Sequence, residues 1–423
     1  MLSRRSLLAF AAALAATLAP RRARAADLAA RKFLFVFARG GWDPTWVFAP
    51  DVDPALVDVD PEATPAEIGG LTFADAASRP NVRAFFERYA ARTAIINGIE
   101  VRSLTHERCR RLLFCGAGEG EADDWATRIA ASDRGWRLPH LVLGGPSFTA
   151  AHADAVVRLG DNNQLAELLS ADAFRRSDSP IAVASANALT AAEAFAQKRA
   201  ASWARDQASG QPQGVGAALV AAYERAALVR GEAALFDLGR DLGSDSLIPV
   251  PDRVSAALQC FEAGYSRCAI VEHLGQFELG WDTHSNNDVQ GIHFDLLFGD
   301  LSTILDDMAA RPGAGGASLL DETTVVVLSE MGRTPRLNAA GGKDHWTFTS
   351  AMLVGAGIRG GMVVGAYDDA LVGRPVSLTT GAPEAGGTAL RPEELGATLL
   401  ALAGLEAEEM GGGSPILAVM DES

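Results

Sequence analysis

The sequence has 423 residues, of which 48% are hydrophobic and 21% are charged. An apolar fraction of this size supports a large buried core and excludes an intrinsically disordered chain. With 53 acidic against 37 basic residues the formal charge is −16, and this balance argues against nucleic acid as a partner. Four cysteines in a chain of this length do not make a disulfide scaffold.

The N-terminal segment has the layout of a secretory signal peptide. A pair of arginines precedes an apolar stretch from Leu7 to Leu18, and Ala23–Ala25 offers the small residues of a cleavage site. The alternative, a membrane anchor, is disfavoured because a spanning helix needs about 20 apolar residues. We therefore predict a signal peptide over 1–25, one domain over 26–423, and no stable membrane span after cleavage.

The opening Ser-Arg-Arg-x-Leu-Leu resembles the twin-arginine export signal, which predicts a periplasmic or secreted protein. Because such a destination is oxidising, two disulfides could form there, Cys109–Cys115 and Cys260–Cys268. The alternative, which we favour, is four buried thiols.

Short apolar runs bounded by glycine or polar residues recur along the chain, and they are typical of strands buried on both faces. The predicted strands are Lys32–Ala38, Thr93–Ile99, His140–Gly144, Ile181–Ser185, Arg267–Leu274, Thr323–Ser329, Ala351–Val354 and Met362–Val364. Segments with helical spacing separate many of them. The predicted helices are Asn81–Arg92, Glu121–Ser132, Ala188–Ala208, Ala217–Leu238, Val254–Ala263, Asp288–Ala310 and Pro392–Ala403. The alternation predicts an α/β fold of three layers, with a mainly parallel central sheet and helices on both faces.

Ligands of open α/β sheets bind beyond the carboxyl ends of strands, and three predicted strands are followed there by acids and histidines. These residues are Asp43, Asp282, His284, Glu330, Asp344 and His345. Carboxylate and imidazole are the ligands of hydrolytic Zn²⁺, Mn²⁺ or Mg²⁺ sites. A single Asp-His pair is more often a capping or solvated pair, but the combination at successive strand ends favours a metal site.

Four motifs together resemble the family known as domain of unknown function 1501, within the alkaline phosphatase and sulfatase superfamily. They are Arg39-Gly40-Gly41-x-Asp43, Gly280-Trp281-Asp282-Thr283-His284, Ser329-Glu330-x-Gly332-Arg333-Thr334-Pro335 and Asp344-His345-Trp346. The resemblance implies an alkaline-phosphatase-like fold and a centre of two divalent ions. Zn²⁺ is the ion we favour, with Mn²⁺, Mg²⁺ or Ca²⁺ as alternatives. It places Asp43 at one ion beside a nucleophile, and Asp282 and His284 at the other. Glu330, Asp344 and His345 complete the set.

By the same resemblance, Thr105 stands where the family has a serine nucleophile, before a predicted helix over His106–Phe114. A helix N-terminus suits an attacking alkoxide and a bound anion. The alternative is that Thr105 is an ordinary N-cap. Two roles stay open for His106: metal ligand, or support for one.

Arg333 and Lys343 are candidates for neutralising the charge of a bound oxyanion, with plain surface charge as the alternative. We therefore predict an exported metal-dependent hydrolase of a small anionic ester: a phosphate, or a related sulfate or phosphonate. The rival hypothesis is a non-catalytic periplasmic binding or assembly protein that keeps the fold. The oligomeric state stays open.

Overall fold

The computed structural model describes residues 28–133, 135–159, 185–206, 215–231, 249–276, 280–406 and 412–421. The expected signal peptide lies outside these described residues, as do residues 181–184 of one predicted strand. Within the described part of the chain, no helix has both the length and the apolar character needed to cross a membrane.

Twelve strands are assigned in the described residues. In chain order they are β1 (Lys32–Ala38), β2 (Thr64–Ile68), β3 (Leu71–Asp75), β4 (Thr93–Glu100), β5 (His140–Val142), β6 (Val156–Arg158), β7 (Cys268–His273), β8 (Thr323–Leu328), β9 (Gly332–Arg333), β10 (His345–Trp346), β11 (Phe348–Gly355) and β12 (Met362–Val364). The α-helices are α1 (Pro80–Tyr89), α2 (His106–Cys115), α3 (Trp125–Ala131), α4 (Ala186–Asp206), α5 (Val215–Gly231), α6 (Val250–Glu262), α7 (Val289–Ala310) and α8 (Pro392–Leu402).

Eight strands form the central sheet, in the order β12-β4-β11-β8-β1-β7-β5-β6. Only β11 runs antiparallel to its neighbours, and every other pairing in this sheet is parallel. The predicted mainly parallel α/β sheet is therefore confirmed. Both faces of a parallel sheet are covered, because the helices that connect its strands lie on both sides.

Strand β1 shows how the sequence produces three layers. Its seven residues are all buried, and successive side chains enter two different apolar clusters. Phe33, Phe35 and Phe37 join the cluster that includes apolar residues of α2, α3 and α8, whereas Leu34 and Val36 join the one that includes those of α1, α6 and α7. Each fully buried side chain of this size contributes about 1.5–3 kcal/mol.

The hairpin of β2 and β3, which pairs outside the central sheet, was not predicted from the sequence. Strand β2 contains Pro65 and the exposed Glu67, both unfavourable for a buried strand. Its turn is formed by Gly69 and Gly70, both with positive φ. Strands β9 and β10 are two residues each and were also missed.

All four cysteines are buried free thiols, as the favoured alternative predicted. Burial raises the pKa of the Cys109 thiol to about 11, so this group is not a reactive thiolate at neutral pH.

A buried histidine makes the stability of the fold depend on pH. Desolvation lowers the pKa of His140 to about 3, and its Nδ1 contacts the Thr127 hydroxyl at 3.1 Å. The unfolded chain binds a proton here near pH 6.5, while the folded chain stays neutral. The folded state therefore loses about 1.4 kcal/mol per pH unit from this group as the pH falls below 6.5.

We predict that His140→Gln flattens the pH dependence of the free energy of unfolding by about one proton between pH 6 and pH 4. Glutamine keeps a hydrogen-bonding partner for Thr127 and does not titrate. Urea denaturation at several pH values measures this slope, and equal slopes for the variant and the wild type would contradict the assignment.

Candidate metal centre

The sheet order brings three of the predicted site loops together. Strands β8, β1 and β7 are adjacent and parallel, so the segments after their carboxyl ends meet at one edge of the sheet. Glu330 follows β8, Gly40 and Gly41 follow β1, and Asp282 comes after β7. The α2 segment reaches the same place from the end of β4.

The two glycines after β1 are required by close backbone contacts. Gly40 and Gly41 have φ of 130° and 88°, a region that side chains disfavour. A Cβ at Gly40 would lie 2.6 Å from the backbone nitrogen of Asp282. Because Gly40 has no side chain, its amide approaches Glu330 and donates to both carboxylate oxygens, at 3.1 and 3.0 Å.

Asp282 is the carboxylate around which the centre is arranged. Its Oδ1 lies 3.1 Å from His284 Nε2 and 3.2 Å from His345 Nε2. Its Oδ2 lies 3.3 Å from His106 Nε2. One ligand atom each from His106, Asp282 and His345 fall within 4.8 Å of one another, so the structure contains a candidate His/Asp metal site.

Each of the three imidazoles is held through its other nitrogen. His106 Nδ1 lies 3.0 Å from Glu330 Oε1, and His284 Nδ1 lies 2.8 Å from Asp344 Oδ1. His345 Nδ1 lies 2.6 Å from the carbonyl oxygen of Leu104. These partners are acceptors, so Nδ1 carries a proton in each ring, and Nε2 is the nitrogen that faces Asp282 and is available to bind an ion in place of a proton.

The donor set fits a metal ion. The Nε2 atoms of His284 and His345 are 3.0 Å apart, and each lies near the same oxygen of Asp282. Lone pairs this close repel one another unless a proton or a metal ion lies among them. Two ligands bound tetrahedrally to Zn²⁺ at its usual bond lengths lie about 3.3 Å apart, close to the spacing here.

In the ion-free centre a proton takes the place of an ion at His106. Hydrogen bonds to Asp282 and then to Glu330 raise the pKa of His106 to about 9, so this imidazole carries a proton that an ion would displace. Burial raises the pKa of Asp282, but the hydrogen bonds from His106 and Arg333 outweigh it and hold that pKa well below the usual range.

The structure places Arg333 inside the protein rather than at an open substrate pocket. Its side chain is fully buried, with Nη2 2.6 Å from Asp282 Oδ1. The same guanidinium donates to the carbonyl oxygens of Gly40, Gly41, Trp281 and Lys343. Arg333 therefore fixes the position of Asp282 and joins the loops that carry the site.

Asp43 and Lys343 form a fully buried ion pair, with Lys343 Nζ 2.8 Å from Asp43 Oδ2. Asp43 also accepts hydrogen bonds from Thr45 and Asn287, and among the described residues its side-chain partners do not include the three histidines. Of the predicted ligands, the structure thus brings Asp282, His284 and His345 together. Glu330 contacts His106 and Asp344 contacts His284, each at the Nδ1 atom of the histidine, and Asp43 has a separate set of partners.

Thr105 lies at the N-cap position of α2, next to His106 in the chain, and is exposed. Its side chain makes no capping hydrogen bond to the helix. The ordinary N-cap alternative therefore does not explain this hydroxyl.

His106 and the carbonyl of Leu104 were the parts of the centre that sequence reasoning left unassigned. A signal for His106 was present, since it begins a helix after a strand, as Asp282 and Glu330 follow strands. No sequence signal could have found the Leu104 carbonyl, because any residue carries one.

Trp42 and Trp281 are fully buried and pack in the core.

A family profile described as "Protein of unknown function (DUF1501)" matches residues 253–412. This match confirms the predicted family resemblance over that part of the chain. It includes Asp282, His284, Glu330 and His345 but not Asp43 or Thr105. No curated protein matches the sequence.

Two solved structures are similar to the chain. One is a protein of the alkaline phosphatase superfamily from Vibrio parahaemolyticus, 10% identical, with 89% of this chain and 67% of that chain covered and a TM-score of 0.33. The other was solved in complex with its substrate, D-glucosamine-2-N,6-O-disulfate. It is 10% identical, with 93% of this chain and 81% of that chain covered and a TM-score of 0.37. The α/β class of this protein follows from its own sheet.

We predict that Glu330→Gln weakens Zn²⁺ binding roughly 10- to 100-fold, because the amide no longer gives His106 a charged acceptor at Nδ1. Competition with a chromophoric chelator measures the change in affinity. Glu107→Gln is the matched control, since it is the same chemical change next to His106 in the chain, at a side chain that is 82% exposed. Equal affinities for both variants would contradict the role given to Glu330.

Proposed function

We propose that this protein is a metal-dependent hydrolase of a phosphate ester or of a related sulfate or phosphonate ester. One observation carries the proposal: three imidazoles, each bound through Nδ1 to an acceptor, direct Nε2 at one carboxylate. Histidine ligands of metal ions donate their other ring N–H to a carboxylate or a carbonyl oxygen in this way, which favours a divalent ion at the Nε2 atoms.

His106, Asp282, His284 and His345 would hold the ion, and a set this rich in imidazole favours Zn²⁺ over Mg²⁺ or Ca²⁺. A bound ion would supply Lewis acidity, lowering the pKa of a hydroxyl or water and offsetting charge on an ester oxygen. Glu330 and Asp344 keep His106 and His284 in the tautomer that ligation needs. Arg333 holds Asp282 in place.

Thr105 is the proposed nucleophile, because its free hydroxyl lies at the start of α2 and is one residue from His106. The ten-residue helix directs its N-terminal backbone dipoles at this position, which favours a developing anion. The Thr105 oxygen would bond to phosphorus or sulfur as the bond to the alcohol oxygen breaks. Water would then release the anion and restore the hydroxyl.

A specific observation supports the rival hypothesis, a binding or assembly protein without turnover. Both cations predicted to neutralise an oxyanion, Arg333 and Lys343, are fully buried and engaged with Asp282 and Asp43. An anionic ester would then depend on the ion and on the α2 N-terminus alone. Substrate turnover decides between the two hypotheses.

Export through the twin-arginine route belongs to the same proposal and is supported by the N-terminal arginine pair. Export of a folded protein would allow the ion to be bound before the chain leaves the cytoplasm. The substrate class we propose is a small anionic ester rather than nucleic acid, since the chain carries a formal charge of −16.

We predict that the zinc-loaded protein hydrolyses at least one member of a panel of phosphomonoesters, phosphodiesters and sulfate esters. Thr105→Ala should lower kcat by about 10³-fold or more, as expected for removal of a nucleophile. Thr105→Ser, which keeps the hydroxyl, is the control and should retain much of the activity.

Two results would count against this proposal in different ways. Full turnover by Thr105→Ala would remove Thr105 from the mechanism while leaving a hydrolase. No turnover of any ester by the fully metal-loaded wild type would favour the binding protein.

A further inference from the structure

The Asp43 carboxylate is already saturated by groups of the protein. Its Oδ1 accepts from the Thr45 amide at 3.1 Å and from the Thr45 hydroxyl at 2.7 Å. Its Oδ2 accepts from Asn287 Nδ2 and from Lys343 Nζ, both at 2.8 Å. Two carboxylate oxygens offer about four lone-pair sites, and these four contacts occupy them. Asp282 also has four contacts, but three of them are imidazole nitrogens, which can ligate an ion themselves, whereas the Lys343 ammonium at Asp43 cannot.

The surroundings of Asp43 supply donors rather than ligands. The amide nitrogen of Asn287 faces the carboxylate because its oxygen accepts from Thr283 Oγ1 at 3.1 Å. The positive charge comes from Lys343, whose ammonium is fully buried and also donates to the carbonyl oxygen of Asp58 at 2.7 Å. A divalent ion would need acceptor atoms in the place of these donors.

Arg333 connects the Asp43 pair to the histidine centre. The guanidinium of Arg333 donates to the carbonyl oxygens of Gly41 and Lys343, at 2.8 and 3.2 Å, and to Asp282 on its other side. Two fixed protein cations therefore stand beside the two carboxylates, Arg333 at Asp282 and Lys343 at Asp43. A divalent ion at Asp43 would lie against the Lys343 ammonium and be repelled by it.

We propose that the buried ammonium of Lys343 takes the place of a second metal ion at Asp43, so that the protein binds one divalent ion per chain. The proposal rests on the function proposed above, because it concerns the ion content of the same centre. It turns Asp43 from an expected ligand into the acceptor that positions the Lys343 ammonium.

The ion content of the full chain tests this proposal without reference to activity. Protein stripped with a chelator is titrated with Co²⁺, whose visible absorption reports nitrogen and oxygen ligation, and the bound ions are counted by elemental analysis after gel filtration. We expect the absorption to saturate at one equivalent and the count to be one. A count of two, with absorption still rising to the second equivalent, would overturn the proposal.

Variants show which carboxylate holds the ion. The double variant Asp43→Asn with Lys343→Met removes both members of the buried pair, so that no unpaired charge is left inside the protein. We expect it to keep one ion, whereas Asp282→Ala should lose it. A fall from two ions to one on Asp43→Asn would establish Asp43 as a ligand and overturn the proposal. Should the double variant fail to fold, the wild-type count still decides.

The outcomes also separate this proposal from the function on which it rests. Two bound ions together with ester hydrolysis would overturn the single-ion proposal and leave the hydrolase intact. No bound ion in the wild type would overturn both. One ion without hydrolysis would support the single-ion centre and count against the hydrolase.

Discussion

The guanidinium of Arg333 is the contact on which the rest of the centre depends. It is fully buried, and it binds the Asp282 carboxylate together with carbonyl oxygens from the loops after β1 and β7 and from the loop between β9 and β10. A buried guanidinium is costly unless its donors are satisfied, and here acceptors from three loops satisfy them. One side chain thus fixes the relative positions of these three loops. Loss of this contact would leave Asp282 without its buried counter-charge and the histidines without a common target.

Around this contact the site has two layers of charge. The outer layer directs imidazole nitrogens at Asp282, and Glu330, Asp344 and the Leu104 carbonyl hold those imidazoles. The inner layer is the Asp43–Lys343 pair, which brings its own cation. The acidic composition of the chain is thus partly internal: the four acids of the strand-end motifs are each paired with a histidine, an arginine or a lysine. These acids orient ligands and balance buried charge, which the formal charge of the sequence does not reveal.

The sequence predicted the fold well because apolar runs such as Lys32–Ala38 can be satisfied only by a strand covered on both faces. It also predicted which loops carry the chemistry, since the carboxyl ends of adjacent parallel strands must meet. It could not distinguish metal ligands from the residues that orient them, because Glu330 and Asp282 both carry a carboxylate and differ only in how deeply they are buried. Nor could it show that Lys343 turns inward to Asp43, which depends on contacts between residues 300 positions apart in the chain. The hairpin of β2 and β3 was missed because a strand with proline and glutamate outside the main sheet gives no strong apolar pattern.

The central claim is that one divalent ion binds where the histidines meet Asp282. Anomalous scattering at the zinc edge, from crystals of the zinc-loaded protein, tests it most directly. We predict one strong peak among the Nε2 atoms of His106, His284 and His345 and the Asp282 carboxylate, at bonding distances of about 2.0–2.2 Å. The absence of a peak there, with the imidazoles bound to Asp282 through protons alone, would contradict it.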